Sequence, residues 1–116
     1  MSLEMEKLSQ KVKELGVSDQ QRKKIYEYAS LVNQDLIDEV CPALFRLCLN
    51  SEKGPLKNEL GRVIFHLQKN ERLNTRIGLE KLIDASLIVN PKEMFKILNN
   101  SGKDGQRLGE QIKSVF

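Results

Sequence analysis

One histidine, two cysteines and a short run of carboxylates are the residues of this chain whose chemistry could go beyond packing. His66 stands alone. A zinc site needs several His, Cys or carboxylate ligands converging, and the sequence has neither HExxH nor CxxC. A nucleophilic triad needs a positioned Ser or Cys and an orienting carboxylate, and no motif marks either. A phosphotransfer histidine is not favoured either, because Phe65-His66-Leu67-Gln68-Lys69-Asn70 lacks a Lys-Gly continuation. Cys41 and Cys48 are seven residues apart. On one helix that is about 10 Å, beyond the about 7 Å that a disulfide tolerates between Cα atoms. They read as buried, reduced thiols. Asp35, Asp38 and Glu39 share a helix face, but without a calcium loop or a second acidic pair they read as a solvated face. Gly102-Lys103-Asp104-Gly105 follows no apolar strand and lacks phosphate-loop spacing, so it reads as a loop. The expectation is a chain without metal, cofactor or catalytic centre.

The remaining polar feature is basic. Arg62, His66 and Lys69 fall at i, i+4 and i+7, and Arg72 and Arg76 continue the stripe. Such a stripe can contact phosphates. Glu59 and Glu71 lie beside it, however, and no interleaved aromatic offers a base a stacking surface. The segment from Ile77 to Leu98 superficially resembles the closing part of a repressor-type helix-turn-helix. Leu60 to Leu98 is too short for the turn and recognition helix that should precede it, and that family is not assigned.

Composition narrows the class. The chain has 116 residues, 40% hydrophobic and 30% charged, which suits one folded domain and argues against disorder. Only 5% are aromatic, so the core must be built mainly from Leu, Ile and Val. A net charge of +3 permits an anionic partner without demanding one. No apolar stretch approaches bilayer-spanning length, and the charged start (Glu4, Glu6, Lys7) is unlike a signal peptide. A cytoplasmic protein with no membrane partner is expected.

The elements follow from helical periodicity and punctuation. Met5, Leu8, Val12 and Leu15 form a narrow stripe over residues 3 to 15, and Gly16 is placed to end that helix. Ser18-Asp19-Gln20-Gln21 fits a capping box. The face after it, Ile25, Tyr28, Ala29, Val32, Leu36 and Val40, predicts one long helix kinked or ended at Pro42. Val40 to Leu49 is apolar except for Arg46 and should be the centre of the fold. Pro55 opens a further helix with Leu56, Leu60, Val63, Ile64 and Leu67 inward. Asn74 is read as the cap of the next, which buries Leu79, Leu82, Ile83, Ser86 and Leu87. Asn90-Pro91-Lys92-Glu93 predicts a helix start with Asn at the cap and Pro at the first position. That helix should end near Asn99, and the chain should close on a short helix carrying Leu108, Ile112, Val115 and Phe116.

Residues 1–116 thus predict a single all-α domain, an irregular bundle of five to seven helices or stacked helical hairpins. Residues 1–16 form its N-terminal amphipathic element. The function expected is that of a small non-enzymatic interaction or regulatory module binding another protein or itself. Met5, Leu8, Val12 and Leu15 are the candidate surface for a homodimer. The alternative is a nucleic-acid-binding regulator using Arg62, His66, Lys69, Arg72 and Arg76.

Overall fold

Capping side chains set most of the element boundaries. The computed structural model describes residues 3–50 and 73–116. Among these are six helices and no strand. They are α1 (Leu3–Leu15), α2 (Asp19–Ala29), α3 (Gln34–Leu49), α4 (Arg76–Val89), α5 (Pro91–Asn99) and α6 (Gly102–Ser114). The all-α bundle expected from the periodicity is therefore present. The helix predicted from Pro55 to Leu67 lies outside the described residues.

Helix α1 ends where Gly16, at φ +71°, donates its N–H to the Val12 carbonyl at 2.9 Å. Any side chain there would strain the left-handed backbone. Ser18 then caps α2 through both arms of a capping box. Its Oγ accepts from the Gln21 N–H at 3.2 Å, and its own N–H donates to Gln21 Oε1 at 2.9 Å. Ser18→Ala removes one arm and is expected to cost about 1 kcal/mol, read as a lower urea midpoint with an unchanged denaturant slope. Asn90 caps α5 by accepting from the Glu93 N–H at 3.2 Å, with Pro91 in the first turn.

Three boundaries differ from expectation. The long helix predicted through Val32 is broken at Ser30–Asn33, and α3 begins afresh at Gln34. Asn33 makes the break by accepting the Leu36 N–H at 3.0 Å with its side chain, an alternative to continued helix. The turn is then pinned from outside: Arg76 Nη1 donates to the Val32 carbonyl at 3.1 Å, and Gln34 Nε2 to that of Asn74 at 2.9 Å. Thr75, not Asn74, caps α4, its hydroxyl accepting from the Gly78 N–H at 3.0 Å. Gly102 to Gly105, read as loop, is instead the first turn of α6.

Pro42 neither ends α3 nor divides it. Its ring removes one N–H from the ladder, and the carbonyl so deprived is that of Asp38, on the exposed side of the helix where solvent is available. The opposite side carries Leu36, Ile37, Val40, Cys41, Leu44 and Cys48 into the core. α3 packs chiefly on α4, then on α5. Leu79, Leu82, Ile83 and Leu87 of α4, Met94 and Leu98 of α5, and Leu108 and Ile112 of α6 complete the core. The expectation that the segment after Val40 sits centrally is met by Val40, Cys41, Leu44 and Cys48, whereas Leu49 and Arg46 are exposed.

One polar cluster ties α2 to α4. Arg22 Nε lies 2.8 Å from Asp84 Oδ1, and the Tyr26 hydroxyl donates to Asp84 Oδ2 at 3.4 Å. Burial, reinforced by the Asp84 charge, pushes the Tyr26 hydroxyl up to about 12. The cluster fixes the orientation of α2 and leaves α1 to be held by other contacts.

Candidate functional site

Of the basic stripe, Arg62, His66, Lys69 and Arg72 lie outside the described residues. Arg76 is described, and its guanidinium is engaged by the Val32 carbonyl at the α2–α3 turn. Asp35, Asp38 and Glu39 are exposed on α3, with Gln34 Nε2 donating to Asp38 Oδ1 at 2.9 Å. Among the described residues no three His, Cys, Asp or Glu side chains converge as a metal site would need. No described helix is long and apolar enough to cross a membrane.

Both cysteines are buried free thiols. Cys48 Sγ sits 3.6 Å from the Ser86 hydroxyl, a buried pair between α3 and α4. Burial raises both thiols, and the nearby Asp38 charge helps push Cys41 up to about 12. A thiol held neutral in an apolar setting is a poor nucleophile. These residues pack the core.

The N-terminal stripe is divided in use. Val12 is only 3% exposed and turns into its own chain, while Met5 and Leu8 pack on the core from a half-buried position. Leu15 is 75% exposed. α1 rests on α5 and α4 but makes no close backbone approach to α6. A trough therefore runs beside α1, bounded by α5 and α6 at one end and by Phe116 and the start of α2 at the other. It consists of three adjoining clefts of about 460, 240 and 380 Å³. The first two share Met5 and Lys113, and the last two share Lys11 and Phe116.

The trough has an apolar lining from three distant parts of the sequence. Met5, Leu8 and Leu15 come from α1, Phe95 from α5, and Phe116 from the last residue after α6. Phe95 is 4% exposed and anchors this lining to the core. Three of the four stripe residues thus line the trough, and Val12 does not.

Two contacts along the trough hold α1 in place. Lys92 of α5 pairs with Glu6 of α1. Lys11 Nζ donates to the Phe116 carbonyl at 2.8 Å. Lys113 reaches Glu110 at 3.4 Å, with its ammonium 6.0 Å above the centre of the Phe95 ring. Lys7 and Lys96 also line the trough and make no ion pair among the described residues. The sequence reading singled out neither Phe95, Phe116 nor these lysines as site residues. Each looks like ordinary core or solvated surface within its own helix, and only the packing of α1 brings them together.

No family model matches this chain, and no curated protein or solved structure is detectably similar to it.

Proposed function

We propose that this chain is a small non-enzymatic interaction module that captures a segment of a partner protein in the trough beside α1. The observation that carries the reading is the open gap itself. Apolar side chains from α1, α5 and Phe116 converge on it, and among the described residues nothing closes over them. Soluble proteins tend to cover contiguous apolar surface, and a rimmed apolar trough is the form a peptide-binding groove takes. α1 forms one wall, so the module needs its N-terminal helix in place to bind.

Selection of helical peptides from a random display library tests this. Peptides that bind the wild-type chain should lose affinity at least about tenfold with Leu15→Glu, through loss of one apolar contact and burial of a charge. Leu31→Glu, equally exposed but on the α2–α3 turn, should leave them unaffected. Selected peptides indifferent to Leu15→Glu would remove the trough from consideration. The same surface offers itself to a second copy, and light scattering separates that outcome: a dimer mass abolished by Leu15→Glu would make the partner the chain itself. A mobility shift with mixed DNA and RNA, unaffected by Leu15→Glu and steeply salt-dependent, would favour the nucleic-acid alternative.

A further inference from the structure

Building on the trough as binding surface, we infer that its occupant is an acidic amphipathic helix of a partner protein. Lysines outnumber carboxylates in the second and third clefts. The first is balanced, with Lys92, Lys96 and Lys113 against Glu93, Glu110 and the Glu6 that pairs with Lys92. The second has Lys7, Lys11 and Lys113 against Glu4. The third has Lys11 and no carboxylate. Lys7 and Lys96 are the two trough lysines with no partner in the described structure, one on the α1 wall and one on α5. They are free to pair with carboxylates along the flanks of a ligand. The apolar lining of the trough asks for a ligand with a narrow hydrophobic stripe.

Shape narrows the class further. α1 has 13 residues, hence a length of about 20 Å, and the trough follows it. That accommodates three to four turns of helix, in the helix-in-groove mode where anchors recur at i, i+3, i+4 and i+7. A bilayer is flat at this scale and cannot enter a concave trough along its length. A nucleic-acid duplex has no apolar stripe to place against Met5, Leu8 and Phe95. Like-charge repulsion from the lysines works against basic helices, so the charge supplies selectivity as well as attraction.

Three designed helical peptides of about 14 residues with identical leucine spacing test the inference. Their remaining positions are mainly Glu, Gln or Lys, and binding is read by fluorescence anisotropy at low and high salt. The Glu peptide is expected to bind about tenfold more tightly than the Gln peptide at low salt, what a few exposed ion pairs supply together, with the gap closing at high salt. Lys7→Glu combined with Lys96→Glu, both at surface positions, should erase or invert that preference. A Gln or Lys peptide binding as tightly as the Glu peptide would overturn the acidic assignment, and if that binding depended on Leu15 the trough reading would stand. Failure of all three peptides to bind would overturn both, as would binding to phosphatidylserine vesicles in place of any peptide.

Discussion

Gly105→Ala is expected to destabilise the fold by about 3 kcal/mol, at the upper end of what overpacking costs. A Cβ on Gly105 would lie 2.4 Å from the Leu98 carbonyl oxygen and 2.7 Å from Ser101 Cβ. The first obstacle is backbone, so no rotamer change relieves it, and α6 must move away from α5. Gly109→Ala is the control one turn along. There the new methyl would meet Leu98 Cβ at 3.6 Å, ordinary contact, and the helix gains up to about 1 kcal/mol of propensity. Identical substitutions four residues apart should therefore move the urea midpoint in opposite directions. Equal small effects at both sites would mean that α5 and α6 are not packed as closely as described. Because α5 and α6 each form part of the trough, Gly105→Ala should also weaken any ligand bound there, whereas Gly109→Ala, whose methyl meets Leu98, should not.

Raising the pH from 9 to 12 should remove about 3 kcal/mol of stability through Cys41 alone. In the unfolded chain the thiol titrates near its ordinary value of 9.0, while in the fold burial and Asp38 hold it neutral up to about 12. A folded value above the unfolded one means that the contribution is complete below pH 9. It then declines as the unfolded thiol ionises, until the folded value is reached. Tyr26, also pushed up to about 12, adds loss of the same sign above pH 10. The Cys41 part is isolated by difference. Cys41→Ala should start slightly less stable at neutral pH, because it opens a small cavity, yet fall less steeply than wild type across the alkaline range. Parallel curves for the two proteins would contradict the burial of Cys41. Thiol reagents at pH 8 should meanwhile label neither cysteine until the protein unfolds, since Cys41 and Cys48 are both buried and raised.

The sequence was most legible where a side chain acts on backbone close to it. Ser18 with Gln21, Asn90 with Glu93 and Pro91, and Gly16 at the end of α1 each complete a local hydrogen-bond requirement, and all stand where the pattern places them. Legibility failed where a distant partner decides. The apolar period runs unbroken from Ala29 through Val32 to Leu36, so only the Asn33 cap, held by Arg76 and Gln34 contacts across the fold, reveals the break. Gly102 and Gly105 look like loop residues by type. Gly105 is glycine because of Leu98 in another helix, a reason that composition does not carry. The trough was half legible. Its α1 wall was singled out as an association stripe, but Val12 from that stripe went inward, and Phe95, Phe116 and the lysines joined from α5, α6 and the chain end. Their convergence depends on how α1 lies across the bundle, which no local pattern encodes.

Backbone chemical-shift mapping on the bundle, titrated with the acidic amphipathic peptide, locates the bound ligand. The largest perturbations are expected on Met5 to Gln21, on Lys92 to Lys96 of α5 and on Gly109 to Phe116, with the rest of α2 and the acidic face of α3 unchanged. Perturbations centred on Asp35, Asp38 and Glu39, or spread evenly over all six described helices, would contradict it.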